Sequence, residues 1–242
     1  MTSPPPFTTR PLPPALCTGI LDVHHADGHV DVDAMTAGGI VALIHKATQG
    51  RDWSDPAFVE TVRRAAAHGM LVGAYHFGSN SSDGATQAEW HLSVVARLGD
   101  ELARSCVLAL DLEHNPDTRN GDMSTTNAAM FVDHVRTRTG RWPLLYAGAS
   151  DLRARIAKAD GGTKARLGAC PLWLAQYGEP PRPDSIPSVW PSWSLWQYSD
   201  VGYGPRDRVT YPRDTPGVRV ADRSVFRGTE QELRAWWSTC GR

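Results

Sequence analysis

Two acidic residues, Asp111 and Glu113, stand at the end of an otherwise apolar run, 106–113. On a β-strand, residues two positions apart point to the same face and lie about 6.6 Å apart. Carboxylates at that distance push their pKa values apart, so that one keeps its proton while the other is ionised. Cleavage of a glycosidic bond needs this combination, an acid for the leaving oxygen and an anion facing the positive sugar centre. A strand end that merely meets solvent would contain the same tripeptide, so the pair by itself is only a hypothesis.

The elements that would position this pair alternate along the chain. Apolar runs at 19–23, 40–44, 70–75, 106–112 and 142–146 predict strands, and the segments 57–68, 83–98 and 124–139 have the spacing of amphipathic helices. Continuously apolar strands that alternate with helices favour a parallel sheet covered by helices. After Lys158 helical periodicity is weak, and 171–177, 193–198 and 218–224 predict three further strands joined by irregular loops. The prediction is an α/β fold, an irregular TIM-like barrel of five β/α units followed by three β-strands.

In α/β barrels the active site lies at the C-terminal ends of the strands, and polar and aromatic residues gather there in this sequence. Asp22 ends the first predicted strand and Asp222 the last, and the first and last strands of a closed barrel are neighbours. We therefore expect the two aspartates to join the acidic pair. The plainer alternatives are a turn cap for Asp22 and a salt bridge from Asp222 to Arg219 or Arg223. The remaining strand-end candidates for substrate binding are Lys46, Tyr75, His76, Tyr146, Trp173, Gln197 and Tyr198.

Composition narrows the class of protein. The chain has 242 residues, 41% hydrophobic and 21% charged, which suits a soluble globular domain large enough for a core without disulfides. A net charge of −1 argues against nucleic acid as a partner, and no apolar stretch is long enough for a membrane span. Residues 1–16 predict a flexible Pro-rich leader without signal-peptide character, and 17–242 a single catalytic barrel domain.

The cysteines and histidines do not indicate a metal or cofactor. Four cysteines without a C-x-x-C pair predict free buried thiols, with a bridge between Cys17 and Cys240 as the alternative. His24 and His25 are adjacent, so on a strand they would face opposite ways. We expect no metal site and no cofactor.

The ordered set of motifs resembles glycoside hydrolase family 25, the Chalaropsis-type lysozymes, from about Gly19 to Phe226. The segments that carry the resemblance are GILDV at 19–23, IHKATQG at 44–50, GAYHF at 73–77, LDLE at 110–113, LWLA at 172–175, WQY at 196–198 and VADRSVF at 220–226. The departures lie at the rim. His24 replaces the usual Ser, Gln49 the frequent Glu, and Arg223 with Ser224 the usual Leu-Asn.

The resemblance implies hydrolysis of the β-1,4 bond between N-acetylmuramic acid and N-acetylglucosamine. It implies Glu113 as the general acid, with Asp111 as base, nucleophile or orienting group for the substrate's N-acetyl. Asp22 and Asp222 match the family's other two acidic positions. Spacing alone leaves retaining, inverting and substrate-assisted routes open.

The expected partner is therefore the peptidoglycan glycan strand, met at the cell wall in an extracellular or periplasmic setting. We expect a monomer, and an immunity protein or a delivery system would be compatible with this activity. The competing hypotheses are a non-catalytic glycan-binding barrel that kept the cleft, and a hydrolase of another polysaccharide.

Overall fold

The computed structural model describes residues 15–117, 119–200 and 203–242. Within these residues the strands are β1 (Leu16–Val23), β2 (Ala42–Gln49), β3 (Trp53–Ser54), β4 (Leu71–Phe77), β5 (Val107–Asp111), β6 (Leu144–Gly148), β7 (Leu172–Ala175), β8 (Leu195–Ser199) and β9 (Asp222–Arg227). The α-helices are α1 (Val32–Ala37), α2 (Phe58–Ala67), α3 (Gly84–Val95), α4 (Asp100–Ser105), α5 (Thr125–Thr139), α6 (Ala149–Lys158), α7 (Gly161–Gly168) and α8 (Glu230–Thr239). None of the helices in the described ranges is long and apolar enough to cross a membrane.

Eight of these strands close into a barrel, as predicted. The order β1-β9-β8-β7-β6-β5-β4-β2 is completed by pairing between β1 and β2, while β3 adds a short edge strand to β2. The barrel strands β1, β2 and β4 through β8 run parallel to their neighbours in this set, whereas β9 is antiparallel to both of its neighbours. The carboxyl ends of seven strands therefore meet at one rim.

The direction of β9 corrects one expectation. Asp222 begins this strand instead of ending it. Because β9 runs against the others, its first residue lies at the rim where they end, and Asp222 pairs in register with Asp22 of β1. The two aspartates are thus neighbours, although the rule about C-terminal strand ends was wrongly applied to Asp222.

The connections from β7 to β8 and from β8 to β9 contain no α-helix among the described residues, as predicted, but the weak helical pattern after Lys158 hid α7, which precedes β7, and α8, which follows β9. Helix α7 begins with two glycines, which weaken its pattern, but the Asp160 side chain accepts the Thr163 amide as an N-cap. Helix α8 begins with a reciprocal capping box between Thr229 and Glu232. Such a T-x-x-E spacing is a readable helix start. The predicted strands and the helices α2, α3 and α5 agree with the structure to within a few residues at their ends.

The core has two layers separated by the barrel wall. Alternate strand residues point inward and fill the barrel, among them Ile20, Ile44, Ala109, Leu144 and Leu195, all of them buried. The residues between them point outward and pack under the helices. At the lower end α8 closes the barrel, and Trp237 there donates its indole N–H to the carbonyl of Val72 at 3.0 Å.

All four cysteines are free and buried, as expected, so the alternative bridge between Cys17 and Cys240 is wrong. The predicted leader falls on residues that lie outside the described ranges up to position 14, and Leu16 already belongs to β1. Single-domain organisation for 17–242 stays a prediction.

Candidate active site

The polar rim of the barrel encloses a cavity of about 400 Å³, which we call the acidic cleft. The residues that line it come from the ends of β1, β2, β4, β5, β6, β7 and β8 and from the start of β9. They are Asp22, Val23, His24, Asp27, Lys46, Tyr75, Phe77, Asp111, Glu113, Tyr146, Trp173, Gln197, Asp200, Val220, Ala221 and Asp222.

The centre of the cleft is the pair Asp111 and Glu113. Asp111 is the last residue of β5, paired between Phe77 of β4 and Tyr146 of β6, and it is only 5% exposed. Glu113 follows in a bend just beyond the strand. One carboxylate oxygen of Asp111, Oδ1, is buried without a hydrogen-bond partner among the described residues. A substrate group that donates to this oxygen would complete its hydrogen bonding.

Burial makes both carboxyl groups weaker acids than they are in water. It raises the pKa of Asp111 well above its ordinary value, and the nearby Glu113 raises it further. Burial likewise raises the pKa of Glu113, while the ammonium of Lys46 opposes the rise at both groups. A carboxyl group that keeps its proton near neutral pH can act as a general acid.

The side chain of Lys46 lies in the cleft beside this pair. Its Nζ donates to Oε1 of Gln49 at 2.7 Å, and it lies 4.5 Å from the ring centre of Phe77 and 5.3 Å from that of Trp53. Burial lowers the pKa of the Lys46 ammonium, and the negative charges of Asp111, Asp55 and Glu113 oppose that decrease. The aromatic faces and the carboxylates together favour the cation.

A second acidic pair occupies the opposite wall. Gln197 Nε2 donates to both oxygens of Asp22, at 3.0 and 3.1 Å, and lies 3.4 Å from Oδ2 of Asp222. Burial raises the pKa of Asp22 to about 7, even though this hydrogen bond opposes the rise. Burial and the proximity of Asp22 raise the pKa of Asp222 to about 9. At neutral pH Asp222 therefore keeps its proton and Asp22 is partly protonated.

Aromatic side chains form the floor of the cleft. The rings of Tyr146 and Trp173 meet edge to face with centroids 4.7 Å apart, and Trp173 Nε1 donates to Oγ of Ser224 at 2.9 Å. Tyr75 lines the cleft from β4 and is 9% exposed. Such surfaces suit the apolar faces of sugar rings.

The family model described as Glycosyl hydrolases family 25 matches residues 21–206, which include the cleft residues from Asp22 to Asp200. The chain belongs to glycosyl hydrolase family 25. The resemblance seen in the sequence is thereby confirmed.

Relatives of this family 25 chain carry related names. It is 30% identical over 201 residues to "Lysozyme M1" of Streptomyces globisporus, covering 80% of this chain but 66% of that one, just under two thirds of its length. It is 29% identical over 181 residues to "N,O-diacetylmuramidase" of Chalaropsis sp, covering 71% of this chain and 82% of the relative. A solved family 25 lysozyme from Aspergillus fumigatus superposes with a TM-score of 0.70 at 28% identity, covering 93% of this chain and all of the other.

Two residues predicted to line this family 25 cleft lie elsewhere. His76 is fully buried behind the barrel wall, where its Nδ1 contacts Oγ1 of Thr48 at 2.8 Å and its Nε2 contacts Oε1 of Gln87 at 3.1 Å. Tyr198 packs outward and donates to the carbonyl of Pro212 at 2.7 Å. Each follows an inward-facing residue on its strand, Tyr75 and Gln197, so strand alternation turns it away from the cleft. Their prediction as substrate-binding residues is corrected.

The alternative roles weighed for the two rim aspartates are also decided. Arg223 turns away from Asp222 and donates to the carbonyls of Asp214 and Thr18. Asp222 makes no ion pair within the ranges the structure describes, and Asp22 accepts from Gln197 instead of capping a turn.

Two acidic residues and one aromatic residue of the cleft escaped the sequence analysis, namely Asp27, Asp200 and Phe77. Asp27 is 8% exposed and accepts the backbone N–H of His24 at 2.6 Å. Each of the three ends a strand or lies in the loop after one, so the strand-end rule would have found them had it been extended into the loops. Within the described parts of the chain, no group of three or more His, Cys, Asp or Glu residues is placed to hold a metal ion.

Proposed function

We propose that the protein is an N-acetylmuramidase that hydrolyses the β-1,4 bond between N-acetylmuramic acid and N-acetylglucosamine in peptidoglycan. The observation that carries this proposal is the pair of buried carboxyl groups, Asp111 and Glu113, at the centre of an aromatic-floored cleft. The names of the family 25 relatives support the same bond and substrate. The substrate lies outside the cytoplasmic membrane, so the proposal places the protein's action at the cell wall.

Glu113 is the proposed general acid. It lies beyond the strand end, is less enclosed than Asp111, and has a pKa that burial raises. A protonated Glu113 delivers its proton to the glycosidic oxygen as the bond to the anomeric carbon breaks. The leaving sugar then departs as a neutral alcohol, and water completes the hydrolysis.

Asp111 is the proposed partner carboxylate. It acts on the anomeric carbon by direct attack, by activating water, or by orienting the substrate's N-acetyl group for internal attack. Its unpaired Oδ1 supplies the acceptor that an acetamide N–H requires. Asp22 and Asp222 lie on the opposite wall, where the side-chain amide of Gln197 donates to Asp22 and lies 3.4 Å from Oδ2 of Asp222.

The proposal is tested with purified peptidoglycan and three proteins: wild type, Glu113→Gln, and Glu179→Gln as a control. Glu179 is an exposed glutamate that does not line the cleft. We expect wild type and the control to release reducing ends at equal rates, and Glu113→Gln to be slower by a factor of about 10² to 10⁴. Equal release by Glu113→Gln would disprove the role of Glu113. Binding of wild type to the wall without any release would favour the non-catalytic glycan-binding barrel.

A further inference from the structure

A second cavity of about 260 Å³ opens beside the acidic cleft. It shares Asp200, Val220 and Ala221 with the cleft, so the two spaces are adjacent. Three arginines line its other side, and we call it the arginine cavity. Its lining is completed by Ser199, Arg208, Arg213, Thr215 and Arg219.

Hydrogen bonds from residues outside it anchor the loop between β8 and β9, which contributes most of the lining of this cavity. Arg223, buried under the loop, donates to the carbonyl of Asp214 at 2.6 Å, and the carbonyl of Gly217 accepts the N–H of Asp31 at 2.6 Å. Arg213 donates to the backbone carbonyls of Gly204 and Pro205. These hydrogen bonds anchor the described parts of the loop to the barrel, and Arg213 is used within the loop.

The other two arginines are not used in this way. Arg208 and Arg219 are exposed at the cavity, and within the described ranges neither makes a hydrogen bond or an ion pair. Asp207, which precedes Arg208 in the sequence, accepts the backbone N–H groups of Val209 and Thr210 at 3.0 and 3.1 Å instead of pairing with Arg208. Two arginine side chains thus line this cavity without a hydrogen-bond or ion-pair partner among the described residues.

The adjacent acidic cleft carries negative charge, opposite to that of the arginines. Its carboxyl groups include Asp27 and Asp200, which would repel an anionic group on a bound strand. An arginine pair at the edge of the cleft would offset this repulsion at one place. Guanidinium groups match carboxylate and phosphate oxygens in geometry as well as in charge.

We propose that the arginine cavity binds an oxyanion substituent of the glycan strand, a carboxylate or a phosphate, while the sugar backbone lies in the acidic cleft. This inference rests on the proposed muramidase function and deepens it, since it makes the enzyme selective for strands that carry anionic groups. Peptidoglycan has two sources of such groups, the carboxylates of its peptide stems and the phosphates of wall polymers attached to it.

The test uses three substrates prepared from one cell wall: intact wall, wall whose stem carboxylates have been converted to neutral amides, and wall freed of phosphate polymers. The cavity variant is Arg208→Gln with Arg219→Gln. The control is Arg104→Gln with Arg153→Gln, which removes the same charge at exposed sites lining neither cavity. For each protein we would measure KM and kcat by reducing-end release. Binding to the wall would be measured by sedimentation in a Glu113→Gln background.

We expect the cavity variant to raise KM on intact wall about three- to tenfold with kcat unchanged, and the control to change neither. High salt should remove this difference because it screens the contact. Removal of the anionic group that the cavity binds should raise the wild-type KM to that of the variant. The treated wall that shows this increase identifies the group as stem carboxylate or phosphate. Equal KM values on intact wall, or the same increase on all three substrates, would overturn the proposal.

The sedimentation arm separates this proposal from the proposed function. A wild type that releases no reducing ends disproves the muramidase. In that case the cavity proposal still requires weaker wall binding by the cavity variant, and unchanged binding would overturn it.

Discussion

The side-chain amide of Gln197 donates to both carboxylate oxygens of Asp22, at 3.0 and 3.1 Å. Its other end, Oε1, accepts the hydroxyl groups of Tyr146 and Tyr177 at 2.8 and 3.0 Å. Because phenol groups donate and carboxylates accept, this set of partners allows only one orientation of the amide. Gln197 thereby connects the aromatic floor of the cleft to its second acidic pair.

The first prediction concerns this connection. In Gln197→Glu a third carboxylate replaces the donor that Asp22 and Asp222 share, and like charges at these distances repel. We expect kcat/KM on peptidoglycan to fall at least about tenfold, which corresponds to the loss of one or two buried hydrogen bonds to charged groups. Gln176→Glu makes the same change at a site outside the acidic cleft and should leave kcat/KM unchanged. Equal rates for the two variants would contradict the role of Gln197.

The second prediction concerns the pH dependence of the reaction. The ammonium of Lys46 opposes the rise in the pKa of Glu113, so its removal raises that pKa further. A general acid works below its pKa, and activity is lost as the pH rises through it. Lys46→Met should therefore move the alkaline limb of kcat/KM to higher pH. A pH–rate profile from about pH 4 to 9 measures the shift, and Lys46→Arg, which keeps the cation, should leave the limb near its wild-type position. A limb that moves to lower pH in Lys46→Met would be the wrong sign.

The third prediction concerns stability. Folding raises the pKa of Asp22 to about 7 and that of Asp222 to about 9, so the folded protein binds these protons more tightly than the unfolded chain. This contribution is fully present below the ordinary aspartate pKa and is lost as the pH rises through 7 and then 9. Asp222→Asn keeps the neutral form at every pH.

We therefore expect the Tm of Asp222→Asn to exceed that of wild type by a margin that grows between pH 5 and 9, as followed by thermal unfolding. Asp207→Asn is the matched control. Asp207 is an exposed carboxylate, and hydrogen bonds from the side chain and the backbone of Thr210 lower its pKa. Its margin over wild type should not grow with pH. A constant margin for Asp222→Asn would show that Asp222 ionises normally.

The fourth prediction concerns the contact between α3 and α5. A Cβ on Gly84 would lie 1.8 Å from the carbonyl oxygen of Asn127 and 2.7 Å from the backbone nitrogen of Phe131. Because both atoms belong to helix backbone, the helices must separate, and overpacking of this kind costs about 3 kcal/mol. Gly84→Ala should lower the free energy of unfolding by that amount in urea titrations.

Gly161→Ala is the control for this substitution. Gly161 begins α7, and nothing lies within 4 Å of its added Cβ. Alanine there should be neutral or slightly stabilising, since it restricts the unfolded chain without a clash. Equal losses in the two variants would show that the backbone contact at Gly84 relaxes freely.

The barrel could be predicted because its strands and the helices α2, α3 and α5 are marked locally. The apolar run at 106–112 predicted a strand, and the spacing at 124–139 followed by Gly140 predicted a helix. Helix α7 escaped because its glycines carry no periodic signal. The edge strand β3 is only two residues long, which is too short for any pattern.

Part of the candidate site could be predicted from the sequence and part could not. The types and order of its acidic residues were readable, since Asp22, Asp111, Glu113 and Asp222 each adjoin an apolar strand. Sequence position could not tell which neighbour of a pair points inward, so Tyr75 and His76 looked equally suitable. One residue of register reverses every side chain on a strand, and only the closed barrel sets that register.

The sequence by itself determined the family, the barrel class and the presence of a carboxylate pair, because these follow from local composition and from an ordered set of motifs. Tertiary structure alone decided how these groups work together. The antiparallel entry of β9 brings Asp222 opposite Asp22, and Gln197 reaches both from 175 and 25 residues away along the chain. Raised pKa values at Asp111 and Glu113 likewise require burial, which depends on the solvent that the whole fold excludes and not on neighbours in sequence.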